Sequence, residues 1–419
     1  MSDEMVAAGA SHVCRSCGAP LSTTFVDLGG SPLANAYLSA AELDQPERFY
    51  PLRVFVCGSC FLVQLPRAVA PEEIFVDYAY FSSFSESWVE HARQYVGQMI
   101  DRFGFDATSK VIEIASNDGY LLRSFVERGV PVLGIEPAAN VAAAAQQAGI
   151  PTLVEFFGLE LARRLKDEGE GADLLIGNNV LAHVPDLNGF VAGLGALLRP
   201  GGVVTMEFPH LLSLIEKIEF DTIYHEHFSY FSLIAVERPF VAAGLKVFDV
   251  EELPTHGGSL RIYAGHVDDI SQPVGNRVIE LRERERAAGI DRIETYAAFG
   301  EGVKRVKLDL LEFLVSAKRA GKSVVGYGAA AKGNTLLNYC GIRDDLIDYV
   351  VDRSPHKQGR FLPGTHLAIH DPSEVERTRP DYLLILPWNL KDEIVEQMAH
   401  VRAFGCQFVL PIPTTTVLP

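Results

Sequence analysis

The spacing of hydrophobic residues changes near residue 110 and divides the chain into regions of different predicted structure. Residues 12–70 alternate short apolar stretches with glycine and proline, which is typical of a small β-rich module. A helix is predicted around residues 86–103. From residue 110, short buried strands alternate with helical stretches, a pattern that predicts a parallel, doubly wound sheet. The predicted strands are Val111–Ala115, Val132–Glu136, Leu174–Asn178 and Val203–Phe208, and the predicted helices are Ala138–Gly149 and Leu159–Asp167.

The same alternation begins again towards the end of the chain. Leu260–Tyr263 is predicted as a late edge strand of the first sheet, and residues 275–320 carry Glu, Arg, Leu and Ala at helical spacing. These helices lead into a second α/β unit. Its predicted strands are Ser323–Gly326, Ile347–Val351 and Tyr382–Leu386.

Length and charge narrow the possible classes of function. A chain of 419 residues is too long for one compact core, so two or three domains are expected. The net charge of −17 argues against binding to the phosphate backbone of a nucleic acid. No apolar run reaches the roughly 20 residues that span a bilayer, and residues 1–11 lack the features of a signal peptide. We therefore expect a cytoplasmic protein that binds neither nucleic acids nor membranes.

Four of the six cysteines form two Cys-x-x-Cys pairs, Cys14 with Cys17 and Cys57 with Cys60. In a reducing compartment such pairs favour zinc over disulfides, because four thiolates form the tetrahedral cage that Zn²⁺ accepts. The alternative is two redox dithiols, which would require a thioredoxin-like context that the sequence lacks. Structural zinc is therefore predicted. The other two cysteines, Cys340 and Cys406, are expected to be packed apolar residues.

A nucleoside pocket is predicted beyond the first two strands of the doubly wound sheet, where such sheets bind ligands. Glu136, 23 positions after Glu113, suits the two hydroxyls of a ribose, although it also suits the cap of a helix. The glycine motif that cradles a pyrophosphate is missing, which favours S-adenosylmethionine over a dinucleotide. Glu113 would then face the cationic amino-acid tail. The candidate contacts are Glu113, Asn117, Asp118, Gly119, Glu136 and Pro137.

The segment Tyr224-His-Glu-His227 is the candidate acid–base centre. Histidine is the natural base near neutral pH, tyrosine can donate to a developing oxyanion, and glutamate can hold an amine. An extended backbone would place Tyr224 and Glu226 on one face and the two histidines on the other. A helical turn would instead align Tyr224 with His227. His183, which follows the third strand, is expected at the same end of the sheet as a further polar contact.

A second ligand loop is predicted in the last α/β unit. Gly326-Tyr-Gly-Ala-Ala-Ala-Lys-Gly-Asn-Thr335 follows a strand and opens a helix, and an exposed Lys332 at the start of that helix suits a diphosphate. The alternative is that the small residues serve only tight packing of strand on helix. Further candidate contacts on the same side are Arg353 and Trp388.

Taken in order along the chain, these motifs resemble the sugar-nucleotide C-methyltransferases, especially the dTDP-sugar C-3′-methyltransferases of tetronitrose- and kijanose-type antibiotic pathways. The resemblance spans nearly the whole chain, and Tyr-His-Glu-His is its most discriminating part. It implies a zinc-binding module over residues 1–76, a class I methyltransferase Rossmann-like domain over 77–266 and a second Rossmann-like domain that binds the nucleotide sugar over 267–419. A monomer that acts on a dTDP-sugar is expected.

The resemblance also implies roles for individual residues. His227 would be the base that removes a C3′ proton next to a C4′ ketone, with Tyr224, Glu226 and His183 around the sugar; His225 and His183 remain alternative bases. The cofactor contacts would include Tyr78, Ser87, Phe156 and Asn178, although the aromatic segment from Tyr78 to Trp88 also suits a core. The substrate contacts would be Tyr224, Glu226, Tyr327, Lys332, Asn334, Arg353 and Trp388.

Two other classes of function compete with a methyltransferase. A nicotinamide-dependent oxidoreductase acting on sugar nucleotides would use residues 323–353 for its cofactor. A zinc-dependent binding or scaffold protein would use the four-cysteine module to hold a partner and would not need the Tyr-His-Glu-His segment.

Overall fold

The computed structural model describes residues 12–66, 69, 82–84 and 86–418. In this part of the chain the strands form three sheets of four, seven and six strands. The strands are β1 Thr23–Ser31, β2 Tyr50–Val56, β3 Val63–Gln64, β4 Val111–Ile114, β5 Val132–Ile135, β6 Thr152–Leu153, β7 Ala172–Asn178, β8 Leu198–Pro209, β9 Ser229–Tyr230, β10 Leu245–Leu253, β11 Ser259–His266, β12 Val324–Tyr327, β13 Val350–Val351, β14 Ile369–His370, β15 Tyr382–Ile385, β16 Gln407–Leu410 and β17 Thr416–Val417.

The helices of the described residues separate most of these strands. The α-helices are α1 Glu86–Phe103, α2 Leu122–Val126, α3 Ala139–Gln147, α4 Leu159–Asp167, α5 Leu187–Leu197, α6 Leu211–Lys217, α7 Leu233–Ala242, α8 Asn276–Ala287, α9 Ile293–Ala297, α10 Phe299–Arg319, α11 Ala331–Cys340, α12 Glu374–Thr378 and α13 Lys391–Gln397. Short 3-10 helices cover Ala40–Glu42, Ser82–Phe84, Leu181–His183, Phe220–Thr222, Thr255–Gly257, Trp388–Leu390 and Ala399–Phe404.

The seven-stranded sheet, in the order β10-β11-β8-β7-β4-β5-β6, is the doubly wound sheet that the pattern predicted. Its strands from β8 to β6 are parallel. Strand β4 is buried along its whole length, because helices cover both faces of a parallel sheet. The core on one face includes residues of α1 and α2, and the core on the other face includes residues of α4, α5 and α7.

The prediction of an edge strand at Leu260–Tyr263 is wrong. These residues belong to β11, which lies between β8 and β10 and pairs antiparallel with both. The edge is β10 instead. Its pairing with β11 shifts register between Val247 and Asp249, so its apolar residues do not keep the strict alternation by which a strand is recognised in sequence.

The four-stranded sheet joins the cysteine-containing module to the middle of the chain. It runs in the order β1-β2-β3-β9, and β9 pairs through Tyr230 with Val63 of β3. Because Tyr230 lies three residues after His227, the module is fixed directly beside the candidate acid–base segment. On its other side, Phe25 of β1 stacks on Phe299 of α10 with ring centroids 4.4 Å apart.

The six-stranded sheet, in the order β14-β13-β12-β15-β16-β17, forms the second α/β unit. Strands β14 to β16 are parallel and β17 is antiparallel to β16. Helix α11 follows β12 at Ala331, as the small-residue loop predicted. The division of the chain at residues 76 and 266 remains a prediction. Within the described ranges, none of the helices is both long and apolar enough to cross a bilayer.

Candidate active site and zinc site

The four paired cysteines meet in one cluster. Their sulfur atoms all lie within 4.8 Å of one another, and Cys14 Sγ lies 3.5 Å from Cys60 Sγ, as Cys17 Sγ does from Cys57 Sγ. Four sulfurs at 2.3 Å from a tetrahedral zinc ion are about 3.8 Å apart, so the cluster fits the ion closely. The predicted zinc site is therefore supported by the geometry of all four predicted ligands.

The surroundings of the cluster suit thiolates. Gln64 Nε2 donates to Cys14 Sγ at 3.1 Å, and the backbone N–H of Ser59 donates to Cys57 Sγ at 3.4 Å. Four thiolates fill a tetrahedral shell and leave no position for a substrate, which makes the site structural. Cys340 and Cys406 are buried away from it, and burial raises the pKa of each thiol to about 12.

Two carboxylates of the candidate cofactor pocket lie at the carboxyl ends of β4 and β5. Glu113 is fully buried, and its pKa is raised well above its ordinary value by burial and by the nearby Glu136 and Asp118. Glu136 accepts hydrogen bonds from the N–H groups of Asn117 at 3.0 Å and Ala138 at 2.8 Å. Since Ala138 precedes α3, Glu136 does contact the start of that helix. Glu136 thus contacts the helix start, as the alternative interpretation proposed, and also lies in the candidate pocket.

The turn after β4 has an unusual backbone. Ala115 and Asn117 have φ of 56° and 51°, in the left-handed region that side chains other than glycine rarely adopt. Gly119 has φ of 76°, and a Cβ atom there would meet Ile150 at 2.9 Å, so only glycine fits. Asn117 Oδ1 accepts from the N–H of Ser82 at 2.9 Å. Such strain persists where the surroundings hold it, and it clusters at ligand sites.

Several acceptor oxygens remain unpaired at this edge. Within the described part of the chain, Glu113 Oε2, Asp118 Oδ1 and Asn178 Oδ1 are buried without a hydrogen-bond partner. Buried acceptors are normally satisfied, and donors on a bound ligand would satisfy these three. An ammonium group and ribose hydroxyls are such donors. The residues present therefore fit S-adenosylmethionine.

The other predicted cofactor contacts differ in burial, and some lie outside the described residues. Tyr78 lies outside the described residues. Ser87 lies in α1, and its side chain is outside the described part as well. Pro137 is half-buried next to Glu136, whereas Phe156 is 51% exposed.

A polar network that the sequence did not reveal lies at the same end of the sheet. Glu207 of β8 accepts from Arg261 Nη2 at 2.7 Å and from Thr255 Oγ1 at 3.0 Å, and it lies 3.2 Å from His91 Nε2. Trp88 stacks on His91 with ring centroids 5.0 Å apart. The signal that singled out Glu113, a carboxylate inside an apolar strand, was also present at Glu207.

The acid–base segment forms a turn, which is the second of the two predicted arrangements. The N–H of His227 donates to Tyr224 O at 2.9 Å, and the two rings lie with centroids 4.1 Å apart. His183 joins them, since its ring centroid lies 4.7 Å from that of His227. Three of the predicted catalytic side chains are thus brought together.

Backbone carbonyls fix both imidazoles of this group. His227 Nδ1 donates to Thr222 O at 2.8 Å, and His183 Nδ1 donates to Glu226 O at 2.8 Å. Since a carbonyl only accepts, Nδ1 carries the proton and Nε2 is the basic atom in each ring. Burial lowers the pKa of His183 to about 4, and burial and the adjacent His183 hold the pKa of His227 well below its ordinary value. Both rings are therefore neutral at pH 7.

The other two members of the segment contact the cysteine-containing module. His225 turns towards the first sheet, where its Nε2 donates to Pro51 O at 3.3 Å. Glu226 is 5% exposed, and Asn35 Nδ2 donates to its Oε1 at 2.7 Å. Burial raises the pKa of Glu226 to about 7.

The expectation of an exposed Lys332 is wrong. Its side chain is half-buried where α11 meets the Phe220–Thr222 helix. Nζ donates to Asn389 Oδ1 at 2.8 Å and lies 4.8 Å from the ring centroid of Trp388. Trp388 Nε1 in turn donates to Asp221 Oδ2 at 2.8 Å. Helix α11 packs against the Phe220–Thr222 helix, which precedes the candidate acid–base segment. This packing partly covers the Lys332 side chain, which the loop sequence alone placed in solvent.

The remaining predicted substrate contacts are divided among three places. Lys332 and Trp388 face the Asp221 side, next to the acid–base group. Tyr327 and Arg353 line a separate cavity of about 440 Å³ with Gln397 and neighbouring residues. Asn334 is fully buried, and its Oδ1 accepts from Asn338 Nδ2 at 3.2 Å.

Family models match most of the chain. A model described as "Methyltransferase domain" matches residues 88–250, and one described as "C-methyltransferase C-terminal domain" matches residues 254–413. A third, described as "Putative zinc binding domain", matches residues 14–75 and includes all four clustered cysteines. The matches follow the order of the three sheets.

The chain is also similar to individual proteins. It is 35% identical to C-methyltransferase NovU of Streptomyces niveus over 97% of this chain and 96% of that protein. It is 28% identical to a ubiquinone biosynthesis O-methyltransferase of Mesorhizobium japonicum, over 26% of this chain and 46% of that protein. Among solved structures, magnesium protoporphyrin IX methyltransferase of Synechocystis with bound SAM aligns at 14% identity and a TM-score of 0.34, over 48% of this chain and 99% of that one.

Proposed function

The chain belongs to the C-methyltransferase family that includes NovU, with S-adenosylmethionine as methyl donor, and on that premise we propose that it methylates C3′ of a dTDP-linked 4-keto-deoxysugar. The acceptor we propose is a 3-amino-2,3,6-trideoxy-4-keto hexose of an antibiotic pathway. A C4′ ketone acidifies the C3′ hydrogen, so a single base can convert that carbon into a nucleophile.

The observation that supports this proposal best is the group formed by Tyr224, His227 and His183. Two neutral imidazoles, each held through Nδ1 by a backbone carbonyl, lie beside a phenol. A neutral imidazole with a fixed tautomer can accept a carbon-bound proton, and the adjacent phenol can donate a hydrogen bond to the enolate oxygen. This group needs neither a redox cofactor nor a metal with an open position to do so.

Each side chain then has one task. His227 Nε2 takes the C3′ proton, and the electron pair of the broken C–H bond moves into the enolate. Tyr224 stabilises the enolate oxygen, Glu226 holds the amine on the sugar, and His183 orients the substrate beside His227. S-adenosylmethionine, when bound, supplies the electrophilic methyl group for the new bond to C3′.

The two ligands are assigned to different edges. We place the cofactor at the carboxyl ends of β4 and β5, where Glu113 and Glu136 lie. We place the nucleotide diphosphate at the loop before α11, next to Lys332. We also place the enzyme in the cytoplasm, where cysteines stay reduced and can bind zinc.

The competing functions find less support. Membership of a C-methyltransferase family argues against a nicotinamide-dependent oxidoreductase. The acidic side chains at the carboxyl ends of β4 and β5 also argue against it. The ordered Tyr-His-Glu-His turn argues against a zinc protein without catalytic activity.

Product analysis tests the proposed function. The enzyme should be incubated with S-adenosylmethionine and a panel of dTDP-4-keto-deoxysugars that differ at C3′. We expect a mass increase of one methylene unit for a 3-amino acceptor, and carbon NMR should locate the new methyl group on C3′. Methylation on oxygen or nitrogen, or no product from any 4-keto acceptor, would contradict the proposal.

A further inference from the structure

A segment of the cysteine-containing module extends beyond its sheet and reaches the candidate active site. Residues 32–38 follow β1, and Asn35 Nδ2 donates to Glu226 Oε1 at 2.7 Å. Asn35 itself is exposed, whereas only 5% of Glu226 is exposed. The module therefore supplies a hydrogen-bond donor to a buried carboxyl group that lies 191 positions away in the sequence.

The same segment also contacts the second α/β unit. Tyr37 Oη donates to Ala329 O at 2.6 Å, in the loop that precedes α11. Lys357 Nζ donates to the same carbonyl at 2.9 Å and lies 5.5 Å from the ring centroid of Tyr37. Leu38 forms an isolated β-bridge with Phe361. Residues 35–38 thus lie between the acid–base segment and the predicted diphosphate loop and contact both.

We propose that Asn35 is a positioning residue that orients the Glu226 carboxyl group towards the amine of the acceptor sugar, with Tyr37 anchoring the same segment on the diphosphate loop. This inference rests on the proposed function, because it assigns Glu226 to the acceptor. It gives the zinc module a part in substrate positioning beyond its structural role.

The chemistry of the pair explains why an amide is needed. A donor on one carboxylate oxygen favours the ionised form and fixes the plane of the carboxyl group. Because the plane is fixed, the second carboxylate oxygen keeps one position and can pair with an ammonium group. An acceptor in place of the Asn35 amide would repel the carboxylate instead.

A double-mutant cycle on kcat/KM for the 3-amino acceptor tests the role of Asn35. Asn35→Ala should lower kcat/KM about tenfold, the lower end of the range for a hydrogen bond to a charged group. In a Glu226→Gln background the same change should cost at most about threefold, because a neutral acceptor forms a weaker bond. Asn35→Asp, which keeps the shape of the side chain, should lose at least as much as Asn35→Ala.

The control and the contradicting results are distinct. Thr24→Ala removes an exposed hydrogen bond from Arg53 in the same module and should leave kcat/KM unchanged. Zinc content and thermal midpoint, measured for every variant, identify any that fails to fold. An active wild type with an equally active Asn35→Asp variant, or with equal losses in both backgrounds, would overturn the role of Asn35. A wild type that methylates no 4-keto sugar would overturn the proposed function and, with it, this inference.

Discussion

The two Rossmann-like sheets differ in the charged side chains at their carboxyl edges. The edge of the seven-stranded sheet holds four buried acidic side chains, and the main cation beside them, Arg261, is 2% exposed and paired with Glu207. The corresponding edge of the six-stranded sheet carries basic side chains that lie beside carboxylates: Lys357 Nζ is 3.4 Å from Asp352 Oδ2, and Arg353 Nη1 is 3.7 Å from Glu393 Oε1. The acidic set is Glu113, Asp118, Glu136 and Glu207, and the basic set is Lys332, Arg353 and Lys357.

We propose that this difference separates two ligands of opposite charge. Burial raises the pKa of Glu113, and the nearby Glu136 and Asp118 raise it further, so a cationic ligand would relieve the repulsion among these carboxyl groups. A sulfonium and an ammonium group provide that charge. The second edge suits a diphosphate, because basic side chains stand beside the start of a helix. Similar folds thus acquire different ligands through a few side chains at the ends of their strands.

The largest expected effect comes from the residue between the two edges. His227→Asn should reduce kcat on the order of 10²–10⁴-fold, because it removes the proposed base while keeping a polar side chain of similar width. Both ligands should still bind, since neither edge depends on that imidazole. Steady-state kinetics together with calorimetry for each ligand measure the two parts of this prediction.

A matched control lies two positions away. His225→Asn should retain far more activity, because that ring contacts the Pro51 carbonyl instead of the acid–base group. Equal losses in the two variants would remove the basis for choosing His227.

The acidic edge is tested by Glu136→Gln. The N–H groups of Asn117 and Ala138 donate to different oxygens of Glu136, whereas an amide has one oxygen and carries no charge. We expect the affinity for S-adenosylhomocysteine to weaken by about 1.5–3 kcal/mol. Glu127→Gln, at an exposed glutamate of the same domain, serves as the control. If calorimetry finds unchanged affinity in Glu136→Gln, the nucleoside binds elsewhere.

The basic edge is tested by Lys332→Ala. We expect the KM for the sugar nucleotide to rise about tenfold, as for one hydrogen bond to a charged group, with cofactor affinity nearly unchanged. Lys322→Ala removes an exposed ion pair with Asp381 at the opposite end of the same sheet and should change neither value. A loss confined to cofactor binding would reverse the assignment of the two edges.

The smallest effect concerns pH. Burial raises the pKa of Glu226 to about 7, so its ionised form is present above pH 7 and is lost as the pH falls. If Glu226 pairs with the amine of the acceptor, kcat/KM should fall as the pH drops through about 7. Glu226→Gln should lower the maximum of kcat/KM and abolish its decrease near pH 7. A decrease at lower pH, caused by protonation of His227, should remain. An unchanged limb near pH 7 in Glu226→Gln would assign the titration to another group.

The sequence predicted those parts of the molecule that depend on local pattern. The apolar run of β4, the helix over residues 159–167 and the two cysteine pairs each carry their signal within a few residues. The resemblance to a C-methyltransferase family is confirmed by the similarity to NovU. The roles of individual site residues remain predictions.

Features that depend on contacts between residues far apart in the sequence could not be predicted in the same way. The sequence left open whether Tyr224–His227 is extended or turned, because the choice depends on what His225 and Glu226 contact in the zinc module. Lys332 was expected in solvent because the residues that cover it come from other parts of the chain. The pairing of Glu207 with Arg261 joins β8 to β11 and depends on their register.

Proton exchange at C3′ tests the central claim most directly. The 4-keto sugar nucleotide should be incubated in deuterated water with S-adenosylhomocysteine in place of the methyl donor, and deuterium at C3′ followed by NMR. We expect enzyme-dependent exchange in the wild type and its loss in His227→Asn, with both ligands still bound. Undiminished exchange in His227→Asn, followed by its loss in His183→Asn, would contradict the assignment of His227 as the base.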